Sequence, residues 1–264
     1  MFANPALLVS RLLFVGLIVE AFEIFRLRRF FDDNEMFSRS AVAILTGAAR
    51  WQIRIGATVG GSRAVTVAMA GQAFAAMLVI VEGTHTRTGI FSALICLITN
   101  GYLRARRQIG GSGAEQLTFI VLVTFGLVIL AGGTDGARRL GDAFIAAQVV
   151  LAYFASGVSK VASPIWRNGG AMAGILSTEG YGIPSFAKLL ARHPEVDRLL
   201  CWSVMGWEIA FPLVFVAPKL LMIALLTMGV VFHVFCAVVM GLNRFVWAFC
   251  GCYPAVWATA MLLR

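Results

Sequence analysis

Leu220 to Met240 reads LLMIALLTMGVVFHVFCAVVM, a run without one Asp, Glu, Lys or Arg. As a helix rising about 1.5 Å per residue, such a run is roughly 30 Å long, the thickness of a bilayer's hydrocarbon core. Lipid offers no hydrogen bonds to the backbone, so a spanning segment must be a helix or part of a closed barrel. A barrel needs short strands of alternating polarity. This run is continuous and long, so it reads as a transmembrane helix. Seven further stretches share its character, at about 5–25, 64–82, 88–103, 116–132, 141–160, 199–217 and 245–263. The fold class is therefore all-α: a polytopic membrane helical bundle of about eight transmembrane helices with interfacial amphipathic helices.

Composition agrees. Of 264 residues, 59% are hydrophobic and only 13% charged, against about 25% charged in soluble domains. The mean hydropathy is +0.85. The net charge of +9 comes from basic residues in the connections, where they meet anionic lipid and orient the chain. No nucleic-acid-binding motif accompanies them, so nucleic acid is not an expected partner; the lipid bilayer is. Placing the N-terminus outside puts most connecting Arg and Lys inside. The first run, Met1 to Phe25, has no basic segment before it and no small-residue cleavage site after it. It reads as a retained span. The segment Arg26 to Arg63, with Trp51 to Ile55, has an amphipathic texture that predicts one or two interfacial helices. Val161 to Arg198 is rich in Gly and Pro and reads as an ordered loop with a short amphipathic helix near Ser185 to Ala191. No repeat or soluble domain is visible, so 1–264 is treated as a single domain.

Charge inside an apolar run costs at least about 2.5–3.5 kcal/mol, so each such residue calls for a reason. Arg11, Glu20, Glu23, Glu115, Lys160, Glu208 and His233 are the candidates. Lys160 closes the run Ala152-Tyr153-Phe154-Ala155-Ser156-Gly157-Val158-Ser159-Lys160. Helical spacing puts Tyr153, Ser156 or Gly157, and Lys160 on one face. Gly157 would let a helix or a flat ligand approach closely. Lys160 reads either as an amine able to act as a base or as a helix-end lysine snorkelling to the interface. His233 lies mid-run and could donate to or accept from a substrate oxygen. Its other reading is a core histidine bonded to a backbone carbonyl. No second ligand stands three or four residues away, so no metal site is expected. Glu208 precedes Phe211-Pro212, where a helix should bend, and reads as an ion-pair partner for Arg11, Lys160 or His233. Glu115 opens its span, where a helix N-terminus favours an acid. Trp166, Trp202, Trp207, Trp247 and Trp257 fit interfacial belts. His85 and His193 fall in connections. Cys96, Cys201, Cys236, Cys250 and Cys252 read as buried free thiols.

The stretch Tyr153 to Lys160, followed by Trp166-Arg167-Asn168-Gly169, resembles the horizontally transferred transmembrane domain (HTTM) family, to which the vitamin K-dependent gamma-carboxylases belong. Trp207-Glu208-Ile209-Ala210-Phe211-Pro212 is similar to a glutamate-and-proline helix of that family. Phe232-His233, with Met240-Gly241-Leu242 and Phe245, resembles its histidine-bearing helix. The likeness runs from about Ala152 to Phe249 and concerns the membrane domain alone, with one lysine where the carboxylase motif has two.

The resemblance implies an integral membrane enzyme that uses a reduced quinone, vitamin K or menaquinol-like, for quinol epoxidation with or without carboxylation of a peptide or protein substrate. Lys160 would be the base and His233 would orient or polarise the quinone. Tyr153, Gly157, Trp166 and Glu208 would line the cofactor site. Bacterial members include short proteins linked to peptide maturation. That implies a bacterial cell membrane as the location, and a non-catalytic factor for peptide maturation or export as the alternative function.

Overall fold

The structure is a computed structural model that describes residues 5–32, 35, 37–38, 62–84, 86–107, 111–180 and 182–264. The described residues are helical, with no strand among them. Most of the Arg26 to Arg63 connection, including the expected interfacial helix around Trp51 to Ile55, lies outside the described residues, as does His85. The chain divides into two compact units, Met1–Gly141 and Asp142–Arg264. A single domain was the expectation from sequence. The division falls inside one continuous helix, with no linker or change of composition to mark it.

The first unit holds α1 (Pro5–Arg26), a short 3-10 turn (Arg28–Phe31), α2 (Ser62–Glu82), α3 (Arg87–Arg106), α4 (Gly113–Leu130) and the start of α5 (Asp135–Ala162). Successive helices pack on one another: α1 on α2, α2 on α3, α3 on α4. Their starts are set locally. Thr86 accepts from the Gly89 amide at 2.9 Å, and Ser112 accepts from the Glu115 amide at 3.3 Å. Each hydroxyl satisfies an amide that the first helical turn leaves unbonded. Ala21, Ile24, Phe31, Val65, Met69 and Leu103 form an apolar core.

Beside that core lies a buried polar network. Glu20 accepts from Asn100 Nδ2 at 2.9 Å, from Gln72 Nε2 at 3.3 Å and from Arg107 Nη2 at 2.7 Å. Arg107 Nη1 also donates to Glu115 at 2.9 Å. Glu115 thus pairs with an arginine as well as standing in the first turn of α4.

The second unit holds the rest of α5, then α6 (Pro164–Arg167), α7 (Ala171–Leu176), α8 (Pro184–Arg192), α9 (Pro194–Ala210), α10 (Lys219–Met240), α11 (Asn243–Phe249) and α12 (Tyr253–Leu262). The described residues of the Gly- and Pro-rich connection include three short helices, α6, α7 and α8. The amphipathic α8 buries Ala187 and Leu190 against Leu176. Asp197, buried in α9, accepts from the amides of Met172 and Ala173 at 3.3 and 3.0 Å and so ties down the first turn of α7. Pro212 cannot donate to a helical ladder. There α9 gives way to a 3-10 segment, Phe211–Phe215. Gly241, at a φ of 70°, ends α10 in a left-handed conformation open to glycine at little cost.

Six helical stretches are long and apolar enough to cross a membrane: Ser62–Glu82, Gly113–Leu130, Asp135–Ala162, Pro194–Phe215, Lys219–Met240 and Asn243–Leu262. The apolar segments at 5–25 and 88–103 are also helical, within α1 and α3, of 22 and 20 residues. Many large apolar side chains face outward, among them Leu130, Val216, Leu220 and Val238, each more than three-quarters exposed. Such a surface suits lipid and is rare on a soluble monomer.

A cavity with a lysine–glutamate pair and a tyrosine–histidine pair

Within the second unit a cavity of about 230 Å³ opens among α5, α7, α9, α10 and α11. Its wall is mainly apolar: Met172, Ile175, Leu176, Phe232, Phe245 and Phe249 contribute most of its bulk. Two polar groups interrupt it. Lys160, from the last turn of α5, donates to both carboxylate oxygens of Glu208 at 2.8 Å each and also to Ser156 Oγ. Ser156 in turn donates to Glu208 Oε1 at 3.3 Å. The Glu208 side chain is only 3% exposed. Lys160 Nζ also stands over the Trp166 ring, 5.2 Å from its centroid, within the range of a cation–π attraction. The ammonium is thus met by a carboxylate, a hydroxyl and an aromatic face.

The second group centres on His233 of α10. Its Nε2 lies 2.6 Å from the Tyr153 hydroxyl, and that hydroxyl lies 2.8 Å from the hydroxyl of Tyr253. The imidazole stacks on Phe249, with centroids 4.8 Å apart and planes 22° apart, and more loosely on Phe245. Its Nδ1 is buried and has no hydrogen-bond partner among the described residues.

Two glycines make these contacts possible. A Cβ at Gly157 would stand 2.9 Å from Ile209 Cγ1 and 3.0 Å from Glu208 Cβ, so its absence lets α9 bring Glu208 against α5. A Cβ at Gly229, one helical turn before His233, would stand 1.8 Å from the Tyr253 hydroxyl oxygen. Glycine there leaves room for that hydroxyl.

Five of the residues singled out from sequence therefore line one cavity: Tyr153, Lys160, Trp166, Glu208 and His233. Gly157 does not line it. The close approach that a glycine permits is taken up there by Ile209 and Glu208 of α9. Of the partners open to Glu208, Lys160 is the one observed. His233 bonds to a hydroxyl, where a backbone carbonyl was the plainer expectation. Trp207 departs from the interfacial reading. It is buried, donates from Nε1 to the Leu225 carbonyl at 3.0 Å, and packs edge-on against Tyr153. Trp166 likewise serves the cavity. The five cysteines are free thiols, four of them buried and Cys250 partly so.

Sequence reasoning missed Tyr253 and the roles of Phe245 and Phe249. Tyr253 stands 100 residues from the hydroxyl it meets, and no local pattern signals such a contact. Also missed were Gln72, Asn100 and Arg107 in the first unit. A signal existed for Asn100, an amide within the apolar segment 88–103; Arg107 follows that segment among other arginines, where nothing marks it.

Fold and cavity together define an all-helical membrane protein with an apolar internal site bearing two buried polar pairs. Comparisons of the chain with known protein families, with curated proteins and with solved structures return no match.

Proposed function

We propose that the chain is a membrane enzyme of the HTTM type that acts on a reduced quinone, with Lys160 as the proton acceptor. It would cross a bacterial cell membrane about eight times, α1 and α3 joining the six stretches named above. One observation carries the reading: the Lys160–Glu208 pair and the Tyr153–His233 pair line the same apolar cavity. A quinone headgroup is a flat apolar ring with oxygens at opposite ends, and aromatic walls with two separate polar groups suit it. The volume is below the roughly 300–1,000 Å³ typical of whole-ligand pockets, a size for the ring and not for an isoprenoid tail. A bound quinol supplies an acidic hydroxyl and, with oxygen, the oxidative chemistry that yields an epoxide.

The chain's own residues handle the proton. Shifting one proton across the 2.8 Å contact turns the Lys160–Glu208 ion pair into an amine and an acid. The amine then has a lone pair with which to accept a proton, while Glu208 and Ser156 hold Nζ in place. Phe232, Phe245 and Phe249 give the site apolar aromatic walls.

A second reading, a non-catalytic factor for peptide maturation or export, is favoured by how fully Glu208 and Ser156 occupy Lys160. A turnover assay separates the two. Wild type and Lys160→Ala are placed in nanodiscs with reduced vitamin K and oxygen, and the epoxide is sought by mass spectrometry. The enzyme reading expects epoxide from wild type alone. Wild-type protein that is folded and yields none shifts the assignment to the non-catalytic factor.

A further inference from the structure

The two faces of α8 meet different surroundings. Its inner face backs the cavity. Ala187 and Leu190 pack against Leu176 of α7, and the Phe186 ring meets that of Phe235 edge-on, with centroids 6.1 Å apart. Leu176 and Phe235 both line the cavity. Its outer face carries Lys188, Leu189 and Arg192, all exposed. Lys188 and Arg192 stand one turn apart, so the helix puts both cations on one side. From Gly180 to Pro194 the chain has no acid, and among the described residues no carboxylate pairs with either cation. Glu195, the acid nearest to Arg192 in sequence, stands 3.5 Å from His193.

The place of α8 in the chain decides what such a face can meet. Only His193 separates it from α9, whose stretch Pro194–Phe215 is long and apolar enough to cross a membrane. A short amphipathic helix joined so closely to a span lies where that span leaves the hydrocarbon. There an exposed leucine between two cations suits a phospholipid: the cations meet its phosphate and Leu189 meets its acyl chains. Phosphatidylcholine brings its own cation beside the phosphate, whereas an anionic lipid leaves the phosphate charge to Lys188 and Arg192. A soluble anion would use the cations and leave Leu189 in water. We propose that α8 is a docking surface for anionic phospholipid, and that the lipid held there braces the α7 wall of the cavity. With six residues, α7 leans on α8 through Leu176, so a lipid that fixes α8 also restrains α7. The inference goes beyond the proposed function: it requires the chain to lie in a bilayer and uses neither Lys160, His233 nor a quinone.

The test places the full-length protein in nanodiscs of phosphatidylcholine with and without phosphatidylglycerol. Two quantities are read: the lipid retained on the released protein, by native mass spectrometry, and amide hydrogen exchange in α7 and α8. Wild type should retain phosphatidylglycerol in preference to phosphatidylcholine. Phosphatidylglycerol should also slow exchange in both helices about fivefold, the effect of one cation at an anionic surface. Lys188→Gln with Arg192→Gln changes only exposed side chains, so it should fold and lose both effects. Arg139→Gln with Lys219→Gln removes the same charge from exposed positions elsewhere and should keep both. Equal retention of the two lipids by wild type overturns the docking surface. So does a preference that the α8 variant keeps, or that the control variant loses to the same extent. Selective retention with α7 exchange unchanged by phosphatidylglycerol overturns the bracing. Neither readout involves turnover, so failure here and failure of the epoxide assay are distinguishable.

Discussion

Lys160 and Glu208 hold each other in a setting where neither is easily left alone. Removing one partner of a buried pair typically destabilises by about 3–5 kcal/mol, because the other charge stays behind. Lys160 keeps some contact with the outside, its side chain being 18% exposed, while Glu208 is sealed. The strain of a single deletion therefore falls on Glu208. Lys160→Ala is expected to lower the unfolding temperature in nanodiscs by several degrees. The double variant Lys160→Met with Glu208→Leu should recover most of that loss, since apolar replacement of a whole buried pair is often neutral. Recovery of stability without recovery of turnover would separate the pair's chemical role from its structural one. Gly229 offers a second probe. A methyl there falls 1.8 Å from the Tyr253 hydroxyl, so Gly229→Ala must push Tyr253 away. The expected penalty is about 1–3 kcal/mol by thermal unfolding, the usual range for overpacking. These residues differ in how far sequence discloses them. Lys160, Glu208 and His233 stand out because charge and imidazole are rare in apolar runs. Tyr253 and Gly229 look ordinary, and only the fold makes them neighbours.

Among the elements, α7 depends on a side chain outside itself. It has six residues, too few to be stable alone, and its first turn is held by the Asp197 carboxylate. Asp197 also accepts from Cys201 Sγ at 3.3 Å. Asp197→Ala should free the amides of Met172 and Ala173 and raise their hydrogen-exchange rates roughly 5–30-fold, as for the loss of a helix cap worth about 1–2 kcal/mol. Because Met172, Ile175 and Leu176 line the cavity, the same variant should widen it and weaken ligand binding. At this scale the sequence is most readable. Each of the eight apolar segments found by hydropathy is helical over most of its length, and the short amphipathic helix expected at Ser185 to Ala191 appears as Pro184–Arg192. Length and apolarity are local quantities, so they can be read without knowing the fold. What hydropathy cannot reveal is which face of an apolar helix meets protein. Trp207 is an example: its indole fits a membrane interface by composition, but it is spent on the Leu225 carbonyl and the aromatic cluster around Tyr153.

In the molecule as a whole, large apolar side chains face outward as well as inward, and a few polar side chains are buried within the apolar core. The outside carries Leu130, Val216, Leu220 and Val238, and the inside carries Glu20, Gln72, Asn100, Glu208 and His233. Apolar content therefore announces the surroundings of the protein, while its internal organisation is written in a few polar residues. The first unit makes its own prediction. Arg107 holds both Glu20 and Glu115. Arg107→Ala would leave two buried carboxylates without that cation, and the first unit should lose about 3–5 kcal/mol, seen as faster hydrogen exchange in α1, α3 and α4. Glu20 also has a history in time. The chain is made from its N-terminus, and Arg107 follows Glu20 by 87 residues. At about 5–20 residues per second, roughly 4–17 s of synthesis separate them. The first helix is thus a provisional object during biogenesis. Its acid emerges from the ribosome before any of Gln72, Asn100 or Arg107 exists, and only the arrival of the last of them lets the first unit close.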